Sequence, residues 1–291
     1  SEKVLSYDVN YIVTYPRVRG RLSLYRTHSI DGIESNGYYN DEYRTFINHQ
    51  MYGVNKIYQG GELGVSVKLD GSFTLSAVLA YNEGHYTNNP IGVESAENGM
   101  KINGQQEVID RIILTKGWAL GYTNGEPDKS KSYYNQKSVK VANGPQLAAM
   151  IKLNYFHSKM WFADLSISYY DENYLGVAPS RFSQGMITGT RVDGTSIGNT
   201  GVWYGANCTA AEKDAKIAAL ASQESLFEGA KWYNHIMIDA SVGKLIYLKN
   251  NRSININLSL NNITNNTGFK TGGWQQARIP TTVYRQSLYK V

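Results

Sequence analysis

The side chains that most often carry chemistry are widely scattered in this sequence. Its five histidines, His28, His49, His85, His157 and His235, lack the close spacing to a second histidine or a carboxylate that a zinc site requires. They read as polar residues of turns, loops or a lumen. Asp31, Glu34, Asp41 and Glu42 fall in one segment and carry oxygens of the kind that suit calcium. Their spacing is not that of a calcium loop, and ordinary solvated surface is the stronger reading. The single cysteine, Cys208, excludes an internal disulfide and a cysteine metal cluster. No Gly-rich phosphate loop opens a helix after a strand, and no nucleophile motif is present. The expectation is a protein that is not an enzyme, with no cofactor and no metal.

The chemistry left is recognition. Trp118, Tyr122, Tyr133, Tyr134, Trp203 and Tyr204, together with Arg181 and Arg191, stand in long stretches with no periodic pattern. Tyr and Trp offer large amphipathic contact surfaces at low entropy cost, and stack on sugar faces, aromatic chelates or peptide side chains. These eight residues are the candidate contacts for a small-molecule, glycan or peptide ligand. The competing reading is that they pack the loops against one another. A net charge of +5 with no dense Lys/Arg block gives nucleic-acid binding little support.

What positions these residues is a set of long alternating segments. In the stretch Asn143 to Tyr174, Leu147, Ala149, Ile151, Leu153 and Tyr155 share one parity. After a His157-Ser158-Lys159 turn, Trp161, Ala163, Leu165, Ile167 and Tyr169 do the same. Lys152, Asn154, Asp164, Ser166 and Ser168 occupy the other parity. Period two means a strand with one apolar and one polar face. Each arm holds the pattern for about ten residues, the length that crosses a bilayer at a tilt. Tyr155 and Trp161 at the turn, with Tyr169 and Tyr170 at the far end, match the aromatic girdles of a membrane barrel.

Three more hairpins follow this plan. Leu5 to Tyr15 alternates until Pro16, and Val18, Leu22 and Leu24 return with Arg17, Arg19 and Arg21 on the opposite face. Gly61 to Leu69 turns at Asp70-Gly71-Ser72 into Phe73 to Tyr81, with Glu62 and Lys68 on the polar side. Ile236 to Ile246 turns at Lys249 to Arg252 into Ile254 to Leu260. The fold expected is all-β: eight long strands of an antiparallel up-and-down transmembrane β-barrel, with tight turns on the periplasmic side and long extracellular loops. Lys152, Asp164, Glu62, Lys68, Arg19 and Arg21 are then lumen residues.

The intervening segments read as external loops. His28 to Tyr58 is polar and rich in Gly and Tyr, although Phe46 to Val54 is able to extend a strand beyond the membrane. Asn82 to Asn143 shows no sustained period. Leu175 to Lys231 contains one helix signal: Thr209 as N-cap with Glu212 three residues on, then strong helix formers from Ala211 to Phe227 before Gly229. Ile217, Leu220 and Phe227 give it a narrow apolar stripe, suited to propping a loop on the rim.

Composition permits this architecture. The mean hydropathy is negative and no run of eighteen apolar residues occurs, so a helical membrane protein is not in view, while alternation hides the signal of a barrel. The start, Ser1-Glu2-Lys3, carries no basic residues followed by an apolar core, so either a signal peptide is removed or the chain begins inside a longer protein.

Five segments, in order, carry a resemblance: RVRGRLSLYRT (Arg17 to Thr27), YQGGELGVSVKL (Tyr58 to Leu69), GPQLAAMIKLNYFHSKMWFADLSISYYDENYLGVAPSRF (Gly144 to Phe182), IDASVGK (Ile238 to Lys244) and LSLNNITNNTGFKTGGWQQAR (Leu258 to Arg278). Together they are similar to the C-terminal barrel region of TonB-dependent outer-membrane receptors of the Bacteroidetes. The resemblance spans nearly the whole chain. It implies a barrel of about 22 strands closed around an N-terminal plug, in the cell outer membrane of a Gram-negative bacterium. It also implies a ligand bound on the external face, and energy delivered by the TonB complex through the plug. The partners implied are outer-membrane lipid, the plug domain, the TonB complex and a surface lipoprotein over the barrel.

The sequence departs from that pattern in holding no plug, no TonB-contacting box and no final alternating segment with a terminal aromatic. An eight-stranded open sheet exposes two unpaired edges, so the expectation is part of a larger receptor, with a small complete barrel as the lesser alternative. Two other functions stay open. One is a passive outer-membrane porin or adhesin-like barrel without a plug. The other is a soluble carbohydrate-binding β-sandwich, in which the apolar rows form a shared core; strand length and the aromatic edges disfavour it.

Overall fold

The computed structural model describes residues 1–40, 44–101, 106–112, 114, 122–123, 126–127, 139–142, 144–175, 230–231 and 233–267. Its strands are β1 (Lys3–Thr14), β2 (Val18–Asn40), β3 (Thr45–Lys68), β4 (Phe73–Tyr86), β5 (Ile91–Ala96), β6 (Glu107–Arg111), β7 (Tyr122–Thr123), β8 (Glu126–Pro127), β9 (Gly144–Phe156), β10 (Trp161–Leu175), β11 (Ala230–Lys231), β12 (His235–Leu248) and β13 (Arg252–Leu260). The described residues form no helix. The helix expected over Ala211 to Phe227 lies outside them.

Eight long strands pair antiparallel in chain order, β1-β2-β3-β4-β9-β10-β12-β13. The four expected hairpins are all present, each closed by a tight turn at the expected place. The turns line one end of the sheet, where Lys68 donates its N–H to Arg17, Phe156 to Ser72 and Leu245 to Met160. β1 and β13 are the two ends of this order and do not pair with each other. The sheet is therefore open, and the described residues do not close a barrel.

Register puts the apolar residues in continuous rows. Leu22 faces Leu63, which faces Leu79; Leu75 faces Leu153, which faces Leu165; Ile151 faces Ile167, which faces Ile238. Val242 faces Leu258 in the last hairpin. Because alternate residues point to opposite faces, a matched register across eight strands makes one apolar face and one polar face. The apolar face is open to the surroundings: Ile151, Leu165 and Leu258 are 56%, 45% and 63% exposed.

The buried hydrophobic residues lie elsewhere. Tyr38, Ile47, Met51, Val54, Ile112, Leu114, Val139 and Val141 belong to an extension of the sheet beyond the apolar rows; the strand expected over Phe46 to Val54 is present, and the loop reading of the rest of His28 to Tyr58 is corrected. β2 and β3 stay paired up to Asn40 and Thr45, making a hairpin far longer than the others. Asn82 to Asn143 is likewise not one structureless loop. β4 runs to Tyr86, β5 then takes over the same edge of β3 from Tyr52 to Ile47, and β6 pairs with β5.

A bulge separates the extension from the rest. The β2/β3 register shifts between Ser29 and Ile33, with Asp31 at φ 59° and Gly53 at φ 69°. An inserted residue reverses which parity faces which side. On β3 the even residues Glu62, Tyr58, Lys56 and Val54 give way to Met51, His49 and Ile47 on the same face. On β2 the odd residues through Ser29 give way to Gly32, Glu34, Asn36 and Tyr38. The core of the extension therefore continues the polar face, while its other side continues the apolar one.

Candidate functional site

The polar face is where the described residues gather their hydrogen-bonding groups. In the central hairpin Asp164 sits opposite both Asn154 and Ser241. It accepts from Asn154 and, at 3.1 Å, from the Ser241 hydroxyl. Lys152 Nζ lies 3.7 Å from the same carboxylate. Ser76 donates to Ser66 at 3.1 Å. Farther along, Arg21 donates to Asn10 at 2.8 Å and Ser23 donates to the same Asn10 oxygen at 2.7 Å. Lys152, Asp164, Glu62, Lys68, Arg19 and Arg21 all share this face, the polar one to which alternation assigns them.

At the bulge this face carries a half-buried ion pair. Lys56 forms a hydrogen-bonded salt bridge with Glu34, and Tyr86 donates to the second Glu34 oxygen at 2.8 Å. The ammonium stands 6.0 Å and 5.9 Å from the ring centroids of Tyr58 and Tyr86. Burial opposes the charge on Lys56, but the Glu34 carboxylate outweighs it and holds the ammonium above its ordinary range. Burial, reinforced by Glu34, also pushes the Tyr86 phenol far up. Both groups stay protonated and act as donors to the Glu34 carboxylate.

Deeper in the extension His49, only 2% exposed, has Nδ1 3.1 Å from Glu94 Oε1. Tyr38 donates to the same oxygen at 3.2 Å. His49, read from sequence as a polar turn, loop or lumen residue, is thus a buried strand residue of the extension's core. The other histidines are apart from it. His85 lies 3.8 Å from Glu83 on the opposite face, and His235 is buried at the start of β12, where burial lowers its pKa. Among the described residues no group of three or more His, Cys, Asp or Glu is placed to hold a metal ion. Glu34 is engaged by Lys56, Asp31 is exposed in the bulge, and Asp41 and Glu42 lie outside the described residues.

At the far end of β10, Lys231 on β11 pairs with Glu172, and its Nζ lies 3.4 Å from Asp171. The backbone N–H of Glu172 holds the Asp171 carboxyl below its usual range, with Lys231 adding to it. Glu172 raises the Lys231 ammonium in turn. This ionic knot pins the last described turn of the chain before the segment that carries Arg181, Arg191, Trp203 and Tyr204.

Those four residues, with Trp118, Tyr133 and Tyr134, lie outside the described residues. Of the eight expected ligand contacts only Tyr122 has a described backbone, in β7, where it pairs with Pro127 of β8. Lys56, Tyr86, Glu94 and Lys140 are polar-cluster members that alternation does not single out, because their partners stand 22 to 57 residues away in sequence. No protein-family model matches this chain, and no curated protein matches it.

Proposed function

We propose that this chain forms part of the wall of an outer-membrane β-barrel, its apolar face against lipid and its polar face toward the lumen. We further propose that the barrel is that of a receptor which takes up a ligand from the cell surface with TonB-transmitted energy. The observation that carries the first step is a spacing. Phe73 and Tyr81 on β4, and Trp161 and Tyr169 on β10, bracket the exposed apolar rows with eight residue steps between aromatics, roughly 27 Å of strand at ~3.4 Å per residue. Tilted by about 35–45°, that length spans roughly 19–22 Å, close to the ~25 Å apolar band of a barrel once the flanking rings are included. At the turn end the ring of Phe73 lies 4.8 Å from that of Tyr155, and Lys244 sits 4.5 Å over Trp161, an aromatic and cationic edge of the kind found at a headgroup boundary.

The second step rests on the five ordered segments similar to Bacteroidetes TonB-dependent receptors, supported by a polar face suited to hydrogen-bonding a plug. The wall test compares neighbours on β10. Leu165, midway between Trp161 and Tyr169, is on the apolar face and Ser166 on the polar one. In lipid vesicles Leu165→Arg is expected to cost about 2–4 kcal/mol by urea titration, and Ser166→Arg much less. Equal costs at the two positions would overturn the membrane reading. For the energised importer, mass spectrometry of the native polypeptide in outer membranes is expected to recover a plug-like domain upstream of Ser1. A mature protein starting near Ser1 would favour a passive barrel.

A further inference from the structure

Lys244 breaks the outward apolar row of β12. Ile236, Ile238, Ala240 and Val242 precede it at the same parity, and Ile246 and Leu248 follow it. Its partners across the ladder are Trp161 on β10 and Ile256 on β13. A lysine facing lipid is costly at the bilayer midplane and nearly free at the level of the headgroups. The Lys244 side chain is half-buried, and its ammonium stands 4.5 Å over the Trp161 ring, which is itself 45% exposed. The next turn adds to this corner. Leu245 donates its N–H to the Met160 carbonyl, which fastens the His157–Met160 turn beside Lys244, with Lys159 exposed in it. The Lys159 N–H donates to His157 Nδ1 at 3.1 Å, so the imidazole N–H is at Nε2 and is a further donor.

We infer that this corner of the sheet binds an anionic phospholipid, its headgroup phosphate on the Lys159 and Lys244 ammonium groups and its acyl chains along the apolar row that begins at Val242 and Leu258. The inference rests on the membrane-wall reading and names a lipid class for one place on that wall. Charge complementarity carries it. Arg17, Lys68, Lys159, Lys244, Lys249 and Arg252 stand in or beside the four tight turns, against one carboxylate there, Asp70, and Asp70 already accepts the N–H groups of Ser72 and Phe73. Elsewhere in the sheet Lys56, Lys140, Lys152 and Lys231 each have a carboxylate partner. Among the described residues none of the turn-end cations has one. A row of unneutralised cations attracts an anionic lipid surface and repels the choline or ethanolamine ammonium of a zwitterionic lipid. The Trp161 ring adds what a free anion would not need, an amphipathic side chain suited to the boundary between headgroup and hydrocarbon.

The test mixes the full chain in neutral detergent with phosphatidylglycerol or with phosphatidylcholine of the same acyl chains, and counts retained lipid by native mass spectrometry. Phosphatidylglycerol is expected to bind about tenfold more tightly, as two lysines near an anionic headgroup imply. Lys159→Ala/Lys244→Ala should remove most of that preference, while Lys152→Ala, on the polar face, should leave it unchanged. Equal retention of the two lipids, or a preference that the double variant keeps, overturns the inference. A second arm adds inorganic phosphate at the concentration of the lipid. No competition is expected; displacement of the lipid by phosphate would make this a free-anion site and overturn the lipid assignment. Insertion into pure phosphatidylcholine vesicles is a separate readout. A chain that inserts there but shows no preference for phosphatidylglycerol fails this inference alone, and one that does not insert fails the membrane-wall reading on which it rests.

Discussion

Tyr58 lies against Gly84, the residue directly opposite it across β3 and β4: a Cβ placed on Gly84 would stand 3.0 Å from Tyr58 Cδ1 and 3.1 Å from Cε1. The arrangement recurs on the same polar face. Tyr25 opposes Gly60, with its hydroxyl 3.0 Å from the position a Cβ would take. Phe162 opposes Gly243, where its Cζ stands closer still to that position. A ring laid over a facing glycine gives the strand the packing that glycine cannot supply, and pins the register at that pair.

The three pairs differ in what a side chain would strike, and that difference is testable. At Gly84 the tight contacts are with the Tyr58 ring alone, so Gly84→Ala is expected to cost about 1–3 kcal/mol through overpacking. Adding Tyr58→Ala should remove most of that cost. At Gly243 the Ile256 carbonyl oxygen would also lie 2.6 Å from an alanine methyl, and backbone cannot step aside, so Phe162→Ala should not rescue Gly243→Ala. Urea unfolding of the single and double variants gives both coupling energies. Purely additive costs at Tyr58 and Gly84 would mean that the ring and the glycine are not a unit.

The eight-strand sheet was legible in the sequence because long apolar rows with a polar face behind them force strict alternation, and the turns carry ordinary turn chemistry. At Asp70, for example, the carboxylate accepts the N–H groups of Ser72 and Phe73 at 2.6 and 2.7 Å. The extension was not legible, for a physical reason. The bulge at Asp31 and Gly53 flips the parity of both strands, so a period-two pattern appears broken where pairing in fact continues. On β2 the core-facing set, Gly32, Glu34, Asn36 and Tyr38, is less apolar than its opposite, Ile33, Ser35, Gly37 and Tyr39. The Lys56–Glu34 and His49–Glu94 contacts depend on that shifted register, and no local spacing reveals them. Aromatics such as Trp118 and Trp203 stand in stretches of sequence with no alternation to place them at all.

Charge pairs beyond the apolar band make the fold acid-sensitive in a definite direction. Glu83 accepts from Lys140 at 2.5 Å and from Gln59 at 3.2 Å. The Lys140 hydrogen bond, working against burial, holds its carboxyl below 4.5. A carboxylate with a depressed folded value contributes stability that is present above its unfolded value and is lost as pH falls through the folded one. Asp171, held down mainly by the Glu172 N–H, acts in the same sense from 3.8 downward. Thermal melts in detergent should therefore start to fall below about pH 6.5, where the unfolded state protonates His235 before the folded one does, and fall further below about 4.5, with Glu83→Gln flattening part of the lower fall. A Glu83→Gln profile superimposable on the parent would show that the Lys140 pair does not contribute.

Asn88 ties the bulge to the rest of the sheet. Its Oδ1 accepts the Asn55 N–H at 2.8 Å and its Nδ2 donates to the Gly53 carbonyl at 2.6 Å. The Asn55 side chain in turn accepts the Asp31 N–H at 2.8 Å, and the Asn55 carbonyl accepts the Thr87 N–H at 2.9 Å. The backbone groups freed where the ladder shifts are thus satisfied by two asparagines, as partly buried polar groups must be. Asn88→Ala removes one donor and one acceptor at once, and is expected to weaken the extension by about 1–3 kcal/mol. Hydrogen exchange should localise the effect: amides of Ile47 to Val54 and Ile91 to Ala96 exchange faster by about tenfold per 1.4 kcal/mol, while those of Leu153 and Leu165 keep their protection. Asn88→Asp retains the acceptor for Asn55 but loses the donor to Gly53, so it should fall between the parent and the alanine variant. Uniform acceleration across the whole sheet would instead make the extension and the eight-strand sheet one cooperative unit, and the bulge no boundary between them.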